Sequence, residues 1–374
     1  METNIHCFLD KSDPPHHSFI SGMLAKDLPN STGINVNLVV FKSKSNEVYS
    51  YYSAKVHPAL PEVKSGLLNK IITLIFAMKY LLISVKADDI LFVRNNLISL
   101  FAATILKRRK QKLVFQNSFP LDQMHQSHFK KIFHKTLYKL LTLRVDSVLG
   151  VSDLAEKRIR SNSFRSVKRS SYIPLLSDFT IEEFKPRTIE KLSYVYIGTH
   201  HKMRELDKIL NTICTALDNG LVAKFTFIGG SSLEIDYLIN KEVEKYINSG
   251  DIQFIEKVDR EQIPSLLLNY DIGISLIPPI DIYLESSPTK LVEYMGCGLC
   301  VIGNSEIPLQ RKILEESEGG FCIDYSMTSL YELLFCIQNI EDINFYKENA
   351  YNYAKQELRY LNYLDQIKYI LFIE

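Results

Sequence analysis

Two glutamates with seven residues between them, Glu285 and Glu293, flank a lysine, Lys290, in the segment LESSPTKLVEYMGCG. A lysine in the first turn of a helix is unfavourable, because the helix N-terminus carries a partial positive charge. A bound anion would reverse this effect, since free backbone N–H groups and a lysine together form a phosphate site. Glu293 would lie about one and a half turns inside this helix, where its carboxylate could accept hydrogen bonds from ribose hydroxyls. The alternative is a capped surface helix with two solvated acids.

The residues around this lysine predict where its helix begins and ends. Ser287 is a favourable N-cap and Pro288 a favourable first helical residue, which places Lys290 third in the helix. Gly296 or Gly298 would end the helix.

A second candidate lies in YIGTHHKMRELDKIL, residues 196–210. A predicted strand ends at Gly198, and the loop after it carries Lys202 and Arg204, two cations that could meet a phosphate. The alternative is an ordinary strand–helix turn with exposed basic residues. The loop lacks the G-x-G-x-x-G fingerprint, so a redox cofactor is disfavoured. In FIGGSS, Gly229 and Gly230 indicate a tight turn or a close backbone approach to a ligand.

The cysteines do not form a metal-binding pattern. Six are scattered along the chain without a preceding secretory signal, which favours reduced thiols in a cytosolic protein. Cys297 and Cys300 form a C-x-x-C, but no second pair completes a zinc site. No metal and no cofactor are therefore predicted.

The charge is divided unequally between the halves of the chain. Residues 1–180 carry 26 Lys/Arg against 13 Asp/Glu, and residues 181–374 carry 18 against 30. Ten basic residues and one acid, Asp122, lie in 107–144. Three interpretations remain: a solvated face, a surface for the anionic cytoplasmic leaflet, and a nucleic-acid surface, which is disfavoured because no recognition motif accompanies the charge. The apolar stretch 67–86 is interrupted by lysines and predicts a core or interfacial helix, with no transmembrane span.

Short apolar runs alternate with helical patterns throughout the chain. Predicted strands cover 4–10, 34–41, 90–94, 112–116, 147–151, 192–198, 223–230, 252–256, 272–277, 299–303 and 320–324. This alternation predicts an α/β fold with parallel sheets in two Rossmann-like domains facing a cleft. We expect one domain at 1–178, completed by C-terminal helices within 357–374 that cross back to it, and a second domain at 189–356.

Several segments, in their order, resemble the retaining nucleotide-sugar glycosyltransferases of the GT-B fold that carry the E-x7-E motif. The group includes sucrose synthase-like enzymes and bacterial mannosyl- and glucosyltransferases of cell-surface polysaccharide synthesis. Here the segment SSPTKLVEYMGCGLCVIGNSEIPLQRKIL is similar to the pattern SPxKxxEYMAxGxPVI. IQFIEKVDREQIPSLLLNYDIGISLIPP is similar to the stretch whose loop holds the base, near Lys257 and Val258.

The resemblance implies that the domain at 1–178 binds the acceptor and that the domain at 189–356 binds the nucleotide sugar. It also implies roles for individual residues. Glu285 would contact the donor sugar, Glu293 the ribose, and Lys290 the diphosphate. The implied catalytic set is Glu285, Lys290, Arg204 and Lys202. The implied donor-binding set is Gly198, Thr199, Gly229, Val258, Ser287, Pro288, Thr289 and Glu293.

The acceptor side departs from the family pattern. DKSDPPHHSF (10–19) replaces the family's glycine-rich loop, and Asn117 stands in FQNSFP where a histidine is often found. His16, His17 and Asn117 are the acceptor-side candidates, although the two histidines could be exposed loop residues.

The predicted function is metal-independent transfer of a hexosyl group from a nucleoside-diphosphate sugar, with retention. The predicted acceptor is a glycan or a polyprenyl-diphosphate-linked saccharide, used in lipopolysaccharide or capsule-type synthesis at the inner face of the cell membrane. The anionic membrane surface would be contacted through 107–144. The alternatives are a nucleotide-sugar epimerase on the same fold and a non-catalytic partner that docks a lipid or protein.

Overall fold

The computed structural model describes residues 3–10, 17–40, 54–57, 66–118, 128–164, 167–177, 179 and 181–373. The chain divides into two compact units. The first comprises Met1–Leu175, Glu285–Ser287 and Tyr360–Glu374, and the second comprises Leu176–Leu284 and Pro288–Arg359. The chain thus enters the first unit three times, and its last segment returns there, as the sequence predicted for the C-terminal helices.

The first unit contains a seven-stranded, fully parallel sheet in the order β3-β2-β1-β4-β5-β6-β7. Its strands are β1 Asn4–Phe8, β2 Asn35–Val39, β3 Ala54–His57, β4 Ile90–Arg94, β5 Lys112–Gln116, β6 Ser147–Gly150 and β7 Arg169–Tyr172. The central strands are continuous apolar runs because both of their faces are covered by helices.

Five α-helices of the first unit connect these strands. They are α1 Leu28–Thr32, which follows a π-helical segment Phe19–Asp27, α2 Gly66–Ile83, α3 Leu97–Leu106, α4 His128–Leu141 and α5 Asp153–Asn162. Side-chain caps fix two of the starts: Asn96 accepts from the backbone N–H of Ser99, and Ser152 from that of Ala155. The buried sides of α2 to α5 join one apolar core on the same face of the sheet.

The second unit contains a six-stranded, fully parallel sheet in the order β10-β9-β8-β11-β12-β13. Its strands are β8 Leu192–Ile197, β9 Ala223–Gly230, β10 Ile252–Glu256, β11 Ile272–Ile274, β12 Cys300–Asn304 and β13 Gly320–Ile323. The strand order reverses between β8 and β11, and in doubly wound sheets ligands bind at the carboxyl ends of the strands beside such a reversal.

The helices of the second unit complete its two outer layers. They are α6 Leu206–Asp218, α7 Ser232–Leu238, α8 Lys241–Ser249, α9 Ile263–Leu267, α10 Asp281–Leu284, α11 Thr289–Gly296, α12 Pro308–Ser317, α13 Met327–Gln338 and α14 Ile343–Gln356. Short 3-10 turns cover Lys202–Arg204 and Arg260–Gln262. After α14 the chain returns to the first unit through a 3-10 turn, Tyr360–Tyr363, and α15 Leu364–Leu371.

Candidate functional site

The side chain of Lys290 reaches from the first turn of α11 to the end of β8. Its Nζ lies 3.2 Å from the hydroxyl of Tyr196 and 4.7 Å from the centroid of that ring. The Tyr196 hydroxyl donates to the carbonyl oxygen of Thr199, 3.2 Å away, so it can accept from the lysine. The tyrosine therefore holds the ammonium group against the loop that follows β8.

The charge of Lys290 is unfavourable in this position. Burial and, to a smaller extent, the nearby guanidinium of Arg204 lower its pKa to about 7, and Glu293 opposes the shift. Within the described part of the chain, no carboxylate forms an ion pair with Lys290. The positive charge of Arg204 thus acts on Lys290, which lies at a helix N-terminus that itself favours anions.

Lys202 and Arg204, the two cations predicted in the loop after β8, contact different neighbours. Arg204 ends the 3-10 turn, is half-buried, and lies 4.4 Å from the ring centroid of Tyr283. Lys202 is exposed and extends over the ring of Tyr237, also at 4.4 Å. The electrostatic influence on Lys290 comes from Arg204, so the structure joins Arg204 to the site and directs Lys202 to a different neighbour.

Glycines make room for this arrangement. Gly198 has a φ of 151°, and a Cβ atom there would lie 2.5 Å from Nζ of Lys290. Gly229 has a φ of 113°, and a Cβ there would lie 2.8 Å from the carbonyl oxygen of Gly198. A side chain at Gly230 would overlap the ring of His200. The first two positions also require a backbone conformation that L-residues rarely adopt.

His200, which the sequence analysis did not identify as a site residue, packs against Gly230. It is 1% exposed and packs against the rings of Tyr196, Phe227 and Phe254. Burial lowers its pKa to about 4, so the ring is neutral at pH 7 and adds no charge beside Lys290. Nothing about the adjacent HH pair in the sequence indicates that one of the two histidines is buried.

Glu293 lies deeper in α11 and is paired with an arginine. It is 7% exposed, and its Oε1 accepts from Nη1 of Arg260 at 3.1 Å. The Arg260 guanidinium also covers the ring of Phe179, 4.4 Å from its centroid. Sequence reasoning missed Arg260, although it follows the predicted base loop, where Val258 is half-buried and Lys257 exposed.

The residues that precede α11 contact the first unit. Oε2 of Glu285 accepts from Nε of Arg158 at 2.5 Å, and the Glu285 carbonyl accepts from the hydroxyl of Ser152 at 2.7 Å. Ser287 Oγ accepts from the backbone N–H of Leu175 at 2.8 Å. The predicted N-cap role of Ser287 is therefore wrong, because its hydroxyl is engaged with another segment.

The start of α11 shifts accordingly. Pro288 occupies the N-cap position and Thr289 is the first helical residue, so Lys290 is second in the helix and not third. The helix ends at Gly296, and Gly298 beyond it has a φ of 73°, as the glycine pattern predicted.

The acceptor-side candidates lie in the first unit. Nε2 of His17 is 2.9 Å from Nη2 of Arg94, which is 1% exposed and also donates to Oε1 of Gln116 at 2.7 Å. The side chain of Asn117 is buried and donates to the hydroxyl of Tyr138. His16 lies outside the described residues. The side chains of His17 and Asn117 are thus both engaged within the fold.

The two cysteines of the C-x-x-C segment are buried residues of the protein core. Cys297 and Cys300 are buried free thiols, and burial raises the pKa of each. No group of three or more His, Cys, Asp or Glu side chains among the described residues could hold a metal ion.

Comparisons with known proteins show what the chain is similar to. Residues 179–353 match the family described as glycosyl transferases group 1. That range contains Lys290, Arg204, Glu293 and the three glycines. Most of the second unit is thus similar to the group 1 glycosyl transferases. A search of the curated proteins finds no significant match.

Solved structures with the GT-B fold resemble the whole chain. Anabaena HepE in complex with UDP has a TM-score of 0.66 at 15% identity, over 98% of each chain. Sucrose-phosphate synthase from Thermosynechococcus elongatus has a TM-score of 0.70 at 12% identity, over 97% of each chain. The lipopolysaccharide outer core galactosyltransferase WaaB has a TM-score of 0.65 at 12% identity, over 99% of each chain. At these identities the likeness establishes the fold.

Proposed function

We propose that the protein is a retaining glycosyltransferase that transfers a hexosyl group from a nucleoside-diphosphate sugar. The observation that carries the proposal is the buried Lys290 at the N-terminus of α11, on which the charge of Arg204 acts and which has no ion pair to a described carboxylate, in a region similar to the group 1 glycosyl transferases. A diphosphate supplies the missing negative charge.

The chemistry requires stabilisation of the leaving group. As the glycosidic bond to the diphosphate breaks, negative charge accumulates on the departing oxygen, and preorganised cations lower the energy of that state. Lys290, Arg204 and the N-terminus of α11 supply this charge from the protein, which supports a metal-independent reaction. No cofactor is proposed besides the donor and acceptor substrates.

The positions of Glu293, Glu285 and the loop after β10 suggest which parts of the donor each would contact. Arg260 donates to Oε1 of the Glu293 carboxylate, and because each carboxylate oxygen can accept more than one hydrogen bond, Glu293 would also accept from the ribose hydroxyls. The loop with Lys257 and Val258 follows β10 and would hold the base. We propose UDP, the ligand of the HepE structure, as the nucleoside diphosphate with which the site is tested. For Glu285 we keep the role that the sequence resemblance implies, contact with the sugar hydroxyls; its pairing with Arg158 fixes the carboxylate in one orientation.

We further propose that the acceptor is a glycan or a polyprenyl-diphosphate-linked saccharide in cell-surface polysaccharide synthesis. The likeness to a lipopolysaccharide outer core galactosyltransferase over nearly the whole chain supports this class. The fold alone is compatible with many acceptors.

The test is a panel of nucleotide sugars incubated with polyprenyl-diphosphate-linked saccharides, with products read by mass spectrometry. We expect one donor to be used, with retained anomeric configuration by NMR and unchanged rate in EDTA. Lys290→Met should reduce transfer at least a hundredfold. Lys312→Met, an exposed lysine on α12, is the matched control.

Three results would contradict the proposal. Unchanged transfer activity in the Glu285→Ala and Glu293→Ala variants would show that these residues do not form the donor site. Donor conversion without any acceptor would favour the epimerase. Failure of every nucleoside diphosphate to raise the melting temperature would favour a non-catalytic partner.

A further inference from the structure

Three neighbouring helices of the first unit expose large apolar side chains. Helix α3 contacts both α2 and α4, and all three pack their buried sides on the same sheet face. The exposed large apolar residues are Leu67, Leu68, Ile71, Ile75, Leu82 and Ile83 on α2, Phe101 and Ile105 on α3, and Ile132, Phe133 and Leu140 on α4. We call this surface the helical face. A patch of this extent on a folded domain marks an interaction site.

Helix α2 shows the pattern most clearly. Leu68, Ile71, Ile75 and Leu82 recur at helical spacing and are 44%, 46%, 59% and 58% exposed. The opposite side of the helix, with residues such as Tyr80, is buried in the domain core. The helix is therefore apolar on both sides, whereas a surface helix of a water-soluble domain is polar on its outer side.

By length and composition, α2 could cross a membrane. It has 18 residues, a mean hydropathy of 1.7, and 17% of the window buried within the protein. However, Ala77, Tyr80 and Leu81 belong to the apolar core against the sheet. A helix held to its own domain along one side is suited to lie in a membrane interface with its other side.

All charged side chains of the three helices are basic. Their sequences contain lysines but no aspartate or glutamate. Lys70 and Lys79 on α2 and Lys135 and Lys139 on α4 are exposed. A lysine stem can lie along apolar surface while its ammonium group reaches the level of anionic headgroups.

Other basic residues between 107 and 144 have roles in the fold. Lys107 forms an ion pair with Asp146 at 2.8 Å. Arg144 donates to carbonyl oxygens at the end of α3, and Lys112 lies over the ring of Phe372. The charge available to a partner therefore lies on the helices and at the exposed Arg108 and Arg109.

We propose that the helical face docks the protein onto a membrane leaflet containing anionic phospholipid, with α2 parallel to the membrane plane. The apolar side chains would enter the headgroup boundary and the lysines would contact lipid phosphates. A second copy of the chain fits less well, because two faces with only basic charges repel each other. If the proposed function holds, docking brings the enzyme to the inner membrane surface, where a lipid-linked acceptor resides.

The test is co-flotation of the full chain with vesicles. We expect binding to phosphatidylglycerol–phosphatidylcholine vesicles, at least tenfold weaker binding to phosphatidylcholine alone, and partial release by salt. Ile75→Ser/Leu82→Ser and Lys135→Glu/Lys139→Glu should each weaken binding at least tenfold. The matched controls are Val222→Ser/Leu233→Ser and Lys224→Glu/Lys241→Glu, at exposed positions of the second unit, which should bind like wild type.

Several outcomes would overturn this inference. One is the absence of vesicle binding by the wild type, and another is unchanged binding by both helical-face variants with native melting temperatures. A concentration-dependent dimer that Ile75→Ser/Leu82→Ser abolishes, without vesicle binding, would assign the face to a second copy. Affinity for UDP, measured without lipid, tests the donor site separately and should be the same in all four variants.

Discussion

The ammonium group of Lys290 lies 2.5 Å from the point that a Cβ atom on Gly198 would occupy. The absence of a side chain at the end of β8 is therefore what admits the lysine beside Tyr196. Gly198, at the carboxyl end of β8, thus determines where the side chain of Lys290 on α11 can lie, although the two residues are 92 positions apart in the sequence.

Gly198→Ala tests this relationship. The new methyl group displaces the lysine end, and the φ of 151° adds strain of about 1 kcal/mol. We expect UDP affinity, measured by calorimetry, to fall at least tenfold, together with a modest loss of stability. Gly220→Ala is the control, since its φ is 95° but nothing lies within 4 Å of the added Cβ. Equal effects of both variants on affinity would show that Lys290 is not positioned by Gly198.

Charge at position 290 should govern diphosphate affinity. Lys290→Met removes the cation from a partly desolvated site, where a charge-assisted hydrogen bond contributes about 1.5–3 kcal/mol, or roughly ten- to a hundredfold in affinity. Stability should stay the same or rise, because an unfavourable buried charge is removed. Lys290→Arg should retain part of the affinity. Equal UDP affinity in Lys290→Met and wild type would rule out the proposed contact.

Donor binding should be coupled to proton uptake above neutral pH. The pKa of Lys290 is lowered to about 7 in the free protein, and a bound diphosphate stabilises the charged form and raises it. Above that pKa the free lysine has lost its proton, so binding must restore it and affinity falls as pH rises.

Calorimetry in buffers of different ionisation enthalpy measures this uptake. At about pH 8.5 the phosphates are fully ionised, and wild type should take up close to one proton. Lys290→Arg should take up almost none, since arginine stays protonated. Equal uptake by both proteins would place the titrating group elsewhere.

The fold was predictable where strands are buried on both faces. Such strands are continuous apolar runs, and each of the eleven predicted runs overlaps an observed strand. The structure adds β3 and β7, with sequences AKVH and RSSY, which the prediction missed. Both are short, partly polar edge strands without an apolar pattern. Helix α13 was also missed, although Ser326 caps its start.

The site was predictable only from residues that are close in sequence to a strand end or helix start. Lys290, Arg204 and Glu293 meet that condition. The partners of these residues, such as Tyr196 and Arg260, are separated from them by tens of residues, and only the strand order brings them together. Ser287 shows the opposite error: a local capping preference was overridden by a hydrogen bond to Leu175.

Glu293→Gln should separate recognition of the nucleoside from recognition of the diphosphate. Replacing the carboxylate weakens hydrogen bonds from ribose by about 1–2 kcal/mol, or roughly five- to thirtyfold in UDP affinity. Affinity for inorganic diphosphate should change less than twofold. Glu261→Gln, at an exposed position near Arg260, is the control. A parallel loss for both ligands would mean that Glu293 acts on the diphosphate or on the fold.

Substituting the lysine of a buried ion pair in the second unit should lower the free energy of unfolding more than substituting an exposed lysine does. Nζ of Lys347 lies 2.9 Å from Oδ1 of Asp271, and these residues are 3% and 1% exposed. Lys347→Met would leave the carboxylate buried without its cation, although Ser193 still donates to it, at a cost of about 3–5 kcal/mol.

Urea unfolding of the full chain measures this cost in the transition of the second unit. Lys312→Met, which breaks an exposed pair with Glu316, should cost at most about 1 kcal/mol. The double variant Lys347→Met/Asp271→Asn should recover most of the loss, because the neutral amide can still accept from Ser193 without a buried charge. If the double variant were as unstable as Lys347→Met, the loss would come from the packing of the lysine stem and not from the unpaired carboxylate.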